Sequence, residues 1–272
     1  MVELQERLGS IAVIGGGQMG GAIVGGLIKG ASFDVNGIVV AEPFESQRNM
    51  LSESYGVRCV EDGSELDRTD TIIMAVKPQI FRDVAAALVA AANFAPKRVV
   101  SIAAGITTAL MTEYFTDCAV IRVMPNINLM VASGMSVVAP SDGTPLAEAE
   151  LVCELFSLLG EASIVDEQMV DAATAVSGSG PAYFALFVEE LAKSGVALGL
   201  PEALALRLAR QTLVGTGSYL ALKDISPEEL RSAVTSPNGT TEAAIECFEA
   251  QNFGLVVRNA LEACLRRAKE LG

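Results

Sequence analysis

Gly15-Gly16-Gly17-Gln18-Met19-Gly20 is the first stretch of this chain whose residue types and spacing could do chemistry; it satisfies GxGxxG at Gly15, Gly17 and Gly20. The β-branched run Ile11–Ile14 precedes it and an apolar helical pattern follows, which is the context that gives this spacing meaning. Gly15 permits a tight turn, Gly17 lets the backbone approach a pyrophosphate, and Gly20 lets helix and strand pack closely. Gln18 and Met19 open the helix, whose free N–H groups and positive dipole suit an anion. Further stretches end other apolar runs and should face the same crevice, because strand C-termini line it in such sheets. Glu42 lies about 20 residues beyond the glycine turn, where an acid grips the adenosine ribose and disfavours a 2′-phosphate. Equally, Glu42 could point into solvent and leave Arg48 to reach a phosphate. Val76-Lys77-Pro78 ends another run, and Lys77 either approaches a ligand anion or is a solvated loop residue. Ala103-Ala104-Gly105 leaves room for a nicotinamide, and Asn126 offers both donor and acceptor.

Two later stretches carry turn formers and hydroxyls: Ala175-Val176-Ser177-Gly178-Ser179-Gly180-Pro181-Ala182-Tyr183 and Thr235-Ser236-Pro237-Asn238-Gly239-Thr240-Thr241. The second precedes a helical pattern, so Gly239, Thr240 and Thr241 would present backbone N–H groups and hydroxyls at a helix start. That is either an ordinary N-cap loop or a site for a carboxylate.

These residues need a scaffold. Ile11–Ile14, Ile38–Val40, Ile72–Val76, Val99–Ile102, Val120–Val123 and Met135–Ala139 read as short strands covered on both faces. Helical patterns at Met19–Lys29, Phe44–Tyr55 and Ile80–Asn93 separate several of them, with Gly30 and Gly56 placed as C-caps. The alternation predicts an α/β chain: a Rossmann-type doubly wound parallel sheet over residues 1–165. Strand signals stop near Val165. Asp171–Gly199, Pro201–Leu222, Pro227–Thr235, Thr240–Gln251 and Gly254–Leu271 read as helices, so 166–272 is expected to be an all-helical domain. Pro201 suits a first helical position, and Ser226-Pro227-Glu228-Glu229 is a capping box. Asp171–Leu200 is too apolar for a lone surface helix and should be buried, against a second subunit.

Composition bounds the function. The chain has 272 residues and no His, which excludes Ser-His-Asp and Cys-His catalysis and leaves zinc only Cys and carboxylates; no metal site is expected. A net charge of −14 argues against binding nucleic acid or anionic membranes. The start lacks a basic segment leading into an apolar one. Mean hydropathy is +0.42, yet the long uncharged run Val123–Ser141 contains Pro, Asn and Gly and cannot be a bilayer helix. Cys59, Cys118, Cys153, Cys247 and Cys264 are scattered without a CxxC, as in a reduced, cytoplasmic protein.

With these motifs assembled, the chain resembles the pyrroline-5-carboxylate reductases. The resemblance rests on GGGQMG, AVKPQ, VMPN, AVSGSGPAYF, the stretch from Ala192 to Pro201, Gln211-Thr212 and SPNGTT, and runs from about Ile11 to the last helix. It implies NADPH, with NADH as an alternative, held by the Rossmann-type domain. The helical domain would make an intertwined homodimer, open to larger assembly, with the active site between one subunit's cofactor and a partner's helices. It assigns the substrate carboxylate to Ser236, Gly239, Thr240 and Thr241, places the Thr241 hydroxyl at the imine nitrogen, and lets the loop around Ser179 shape the pocket. Asn238 stands where Gly is more usual, which a left-handed turn accepts with small strain. The implied reaction is hydride transfer to the cyclic imine 1-pyrroline-5-carboxylate, giving proline. Two alternatives remain: a 3-hydroxyacid dehydrogenase, which would need a catalytic Lys where this chain has SGSGPAYF and only Lys193 well beyond it, or a non-enzymatic NAD(P)-binding regulator.

Overall fold

A computed structural model describes residues 2–30, 33–66 and 68–271. Eight strands form one sheet: β1 (Ile11–Ile14), β2 (Ile38–Ala41), β3 (Arg58–Val60), β4 (Thr71–Met74), β5 (Arg98–Ser101), β6 (Ala119–Met124), β7 (Gly134–Pro140) and β8 (Gly160–Ile164). Their order is β3-β2-β1-β4-β5-β6-β7-β8, and the first six in that order are parallel. This is the doubly wound arrangement, with the change of direction between β1 and β4.

The sheet is not parallel throughout, as the sequence had suggested. β7 runs antiparallel to β6, and β8 is parallel to β7. Only residues 125–133 connect β6 to β7, too few for the crossover that a parallel neighbour requires. β3 and β8 were not expected as strands. β3 is short and carries Arg58, while β8 opens on Gly160 and is largely exposed, so neither shows an apolar run.

Six helices accompany the sheet: α1 (Val2–Leu8), α2 (Gln18–Gly25), α3 (Glu45–Tyr55), α4 (Phe81–Ala90), α5 (Thr108–Thr112) and α6 (Leu146–Ser157). Alternate strand residues feed two apolar layers. Ile11 and Val13 pack with Ile23, Leu27 and Phe156, whereas Ala12 and Ile14 pack with Phe81, Leu88 and Met111. Both strand faces are buried, which is why β1 reads as a continuous apolar run. Gly56, at φ 74°, ends α3 as expected; Gly30 instead closes a π turn, Gly26–Gly30, that follows α2.

The predicted helix Asp171–Gly199 is broken. α7 (Val170–Ala173) passes into a π turn, Thr174–Gly178, before α8 (Gly180–Ala197) begins. Then come α9 (Glu202–Lys223), α10 (Pro227–Ala233), α11 (Thr240–Ala250) and α12 (Phe253–Leu271). Pro201, at ψ 138°, is the N-cap of α9 rather than its first helical residue, and Ser226 with Glu229 forms the expected capping box on α10. The chain divides into two compact units, Met1–Ser179 with Cys264–Gly272, and Gly180–Ala263. The sheet-bearing unit therefore continues past residue 165 and takes in the C-terminal end. In the helical unit, Ala205 and Ala209 are the apolar side chains that are buried.

All five cysteines are free. Burial pushes the Cys118 thiol up to about 11 and raises Cys59 and Cys153 as well, which keeps them protonated at neutral pH.

At the end of the sheet where the parallel strands begin, Asp70 ties three of them together. It pairs with Lys97 Nζ at 2.9 Å and accepts from the Ser10 N–H and hydroxyl, both at 3.2 Å. Lys97 holds its carboxyl below the usual range against the opposing effect of burial, and the Ser10 N–H and hydroxyl add to the lowering. A carboxyl that titrates lower when folded stabilises the fold above about pH 4 and loses that contribution as pH falls through its folded value. Asp70→Asn should therefore flatten the acid limb of a stability–pH curve measured by urea unfolding; an unaltered limb would remove this role.

Candidate active site

The C-terminal ends of β1, β2 and β4 arrive together, since Ile14 pairs with Ala41 on one side and Met74 on the other. The glycine turn sits on this crest, and each glycine has a separate physical reason. Gly15 has φ 102°, and a Cβ there would lie 2.7 Å from the Ala75 carbonyl oxygen. At Gly20 a Cβ would stand 2.0 Å from the Gly15 carbonyl oxygen. Gly17 faces open space, with nothing within 4 Å of a Cβ. Gly17 is also the N-cap of α2 and supplies no side-chain cap, and no acid occupies the helix's first turn. The N–H groups of Gln18, Met19 and Gly20 have no protein acceptor among the described residues. Uncapped donors beside an open glycine fit the pyrophosphate of a dinucleotide.

Glu42 does not point into solvent. It is buried, its Oε2 accepts the Gly16 N–H at 2.8 Å, and its Oε1 accepts the Phe44 N–H at 3.0 Å. Gln47 supports the same turn by donating Nε2 to the Gly16 carbonyl at 2.6 Å. Arg48 donates Nη1 to the carbonyls of Glu42 and Pro43 at 2.8 and 2.7 Å, which holds its guanidinium beside the end of β2. The bracing of Gly16 by Glu42 and Gln47 was invisible in sequence, because nothing in either residue's spacing marks a contact to that turn.

Val76 borders the turn, its Cγ1 lying 3.4 Å from where a Gly15 Cβ would be. Lys77 is exposed and caps the short turn Pro78–Ile80. Past β5, the Ala103 side chain is buried, Ala104 is exposed, and Gly105 has φ 77°. Asn126 is buried, with both ends of its amide bonded to protein: Nδ2 to the Ser177 carbonyl and Oδ1 to the N–H groups of Asn128 and Met135. The Ser179 hydroxyl shares a hydrogen bond with the Cys264 thiol at 3.3 Å.

The other predicted residues lie in the helical unit at the start of α11. Asn238 has φ 58°, so it adopts the left-handed turn expected of it. The Gly239 N–H donates to the Ser236 carbonyl at 2.9 Å, and a Cβ at Gly239 would fall 2.5 Å from the Ser236 Oγ. Ser236, Gly239, Thr240 and Thr241 thus share one tight turn. Gly239 caps α11 without a side-chain bond, and the Thr240 and Thr241 N–H groups take no protein acceptor among the described residues. Glu242 is spent on the Asn238 N–H at 2.6 Å. In the same unit Lys193 is paired with Glu189 and Glu190 at 2.6 and 2.8 Å, which raises its pKa and keeps it protonated, unlike a lysine poised as a base.

A doubly wound sheet, an uncapped glycine-headed helix on its crest and an acid ending the second strand define a nicotinamide-dinucleotide-dependent oxidoreductase. Family models agree: one described as NADP oxidoreductase coenzyme F420-dependent matches residues 10–105, and one described as pyrroline-5-carboxylate reductase dimerisation matches 167–271. The pyrroline-5-carboxylate reductase of Synechocystis is 38% identical over 266 residues, covering 96% of this chain and 98% of its own. The structure of the Coxiella burnetii pyrroline-5-carboxylate reductase superposes with a TM-score of 0.91 at 32% identity, covering 97% of this chain and 99% of that one. The Plasmodium falciparum pyrroline carboxylate reductase, solved with NADP bound, gives a TM-score of 0.83 at 27% identity, covering 97% and 98%. This chain belongs to the pyrroline-5-carboxylate reductase family.

The glycines can be separated by experiment. Gly20→Ala has no room for its methyl and should cost about 1–3 kcal/mol of stability. Gly17→Ala should leave the denaturant midpoint almost unchanged and weaken NADPH binding about tenfold or more, read by cofactor fluorescence. Equal NADPH affinity in Gly17→Ala and the parent would move the pyrophosphate site elsewhere.

Proposed function

We propose that this protein is an enzyme that reduces 1-pyrroline-5-carboxylate to L-proline with a reduced nicotinamide dinucleotide, the last step of proline biosynthesis. The observation that carries the substrate assignment is the start of α11, where uncapped backbone N–H groups and the Ser236, Thr240 and Thr241 hydroxyls share one turn. Such a turn suits a carboxylate in a protein whose net charge of −14 offers anions no general attraction.

The residues at the glycine turn hold the cofactor, together with those ending β2, β4 and β5. When bound, the reduced nicotinamide supplies the hydride that the imine carbon accepts. The chain's own task is orientation. Ser236, Gly239 and Thr240 hold the substrate carboxylate, and the Thr241 hydroxyl hydrogen-bonds at the imine nitrogen. That nitrogen is readily protonated in water, so no strong protein base is required. The absence of His is consistent with this division of labour.

Both cofactors have support. The P. falciparum relative binds NADP, and Arg48 stands beside the end of β2, where a 2′-phosphate would need a cation; NADPH is the first choice on these grounds. Glu42 opposes that phosphate from the same place and retains acceptor capacity for a ribose hydroxyl, so NADH is used too.

The helical unit supports pairing with a second copy. Phe184, Leu198, Leu222 and Val256 are 59%, 87%, 82% and 60% exposed, while Ala205 and Ala209 are its buried apolar side chains. A helical bundle this short of core gains stability by covering those faces. Free cysteines suit a reducing compartment, and we assign the protein to the cytoplasm.

The deciding assay is oxidation of NADPH and NADH by purified protein with 1-pyrroline-5-carboxylate, with proline identified as product. Turnover to proline is expected, and cofactor binding without turnover would overturn the reading. Thr241→Ala and Thr241→Val should both lower kcat by about tenfold or more, since Val keeps the shape and loses the hydroxyl. Parental rates in both would remove Thr241 from the imine nitrogen. Glu42→Gln should raise the NADPH-to-NADH ratio of kcat/KM by about tenfold, as expected for removing one nearby negative charge; an unchanged ratio would show that Glu42 has no part in the choice.

A further inference from the structure

Asn126 follows the end of β6 by two residues and is only 7% exposed. Its Oδ1 accepts the N–H of Asn128 at 3.2 Å and that of Met135 at 3.3 Å, closing its own turn and holding the start of β7. Its Nδ2 reaches a different element, donating to the Ser177 carbonyl at 3.0 Å. That carbonyl needs an outside donor for a reason written in the chain. In an α-helix it would receive the N–H four residues on, and that residue is Pro181, which has none.

The backbone here follows the wider π turn Thr174–Gly178, and the Ser179 N–H closes on the Thr174 carbonyl at 2.9 Å. Single π turns of this kind recur at functional sites. The Ser177 hydroxyl is turned back onto the Ala173 carbonyl at 3.0 Å and does not brace its own main chain from outside. Met124, also at the end of β6, packs its Cε where a Cβ on Gly178 would come within 2.8 Å. Lower on β6, buried Arg122 pairs with Glu167 at 2.9 Å and Asp171 at 3.3 Å. Residues 167–179 are therefore attached to one strand at two heights, and at the upper one the hydrogen bond is made by a single side-chain amide beside the Met124 packing.

We propose that Asn126 is a positioning residue for the substrate loop: by holding the Ser177 carbonyl it sets the turn that carries Ser179. It acts through that loop and is not a cofactor ligand. This rests on the functional reading above together with the family resemblance, which implies that the loop around Ser179 shapes the substrate pocket. Its position on the crest of the sheet is what made it resemble a cofactor contact in sequence. The structure instead gives its amide to the protein on both sides.

Asn126→Asp isolates the donor. At a pH where it is ionised, the aspartate keeps an oxygen for the Asn128 and Met135 N–H groups and presents its second oxygen to the Ser177 carbonyl, where two acceptors form no bond. Asn126→Ser keeps an acceptor for the turn without adding charge. Three readouts apply to each folded variant: hydrogen exchange at the amides of 177–180, KM and kcat for 1-pyrroline-5-carboxylate, and equilibrium NADPH binding by fluorescence. Exchange should quicken in that segment, KM for the imine should rise about tenfold, and the NADPH Kd should stay within about twofold.

Unchanged exchange, or an unchanged KM alongside quickened exchange, would overturn the proposal. So would a loss of NADPH affinity as large as the change in KM, since that would make Asn126 a cofactor ligand. If the parent protein does not turn over the imine, the functional reading fails and the positioning proposal falls with it; quickened exchange would then establish only the attachment. If Asn126→Asp does not fold, Asn126→Ser carries the test, and failure of both to fold would mark Asn126 as structural and overturn the proposal.

Discussion

The approach of α2 to β1 is the contact on which the cofactor half depends. A single added carbon at Gly20 would sit 2.0 Å from the Gly15 carbonyl oxygen, so only glycine lets the helix begin directly over the strand. Once it does, the first N–H groups of α2 stand on the crest without a protein acceptor among the described residues. Because β2 and β4 flank β1 in matched register, their ends arrive at the same height. Glu42 and Val76 lie beside the turn as a consequence of that register. Even the bracing follows, since Glu42 can reach the Gly16 N–H only from a strand ending level with the glycines.

A strongly acidic protein that holds anions must do so locally. Both α2 and α11 begin at a glycine that offers no side-chain cap, whereas α10 closes its own donors with Ser226 and Glu229. A glycine at the helix start forgoes roughly a few tenths of a kcal/mol of capping relative to a Ser or Asp. The first donors of α2 and α11 take no acceptor from the described residues, whereas those of α10 do.

Much of this was legible in sequence because its causes are local. β1 is a buried run followed by glycines whose reasons can be stated one by one, and Asn238 was expected in the left-handed turn that it adopts, at φ 58°. What was hidden depends on partners distant in the chain. β3 and β8 are strands because of their neighbours, with little in their own residues to show it. The reversal at β7 follows from a connection too short for a crossover, a constraint on length that an apolar pattern does not display. Glu42 could be placed at a strand end, but the side on which its carboxylate lay could not. Asn126 could be placed on the crest, but not its bond to the Ser177 carbonyl, which lies 51 residues away.

One feature of the chain's order bears on its synthesis. The compact unit that contains the sheet includes Cys264–Gly272, and Cys264 shares a hydrogen bond with Ser179 inside it. The ribosome adds about 5–20 residues per second and releases the chain from its N-terminal end first. The sheet can assemble early, yet the unit that holds it is finished only when Cys264, 85 residues beyond Ser179, has left the exit tunnel. A nascent chain stalled before Cys264 would carry a folded sheet that lacks this contact.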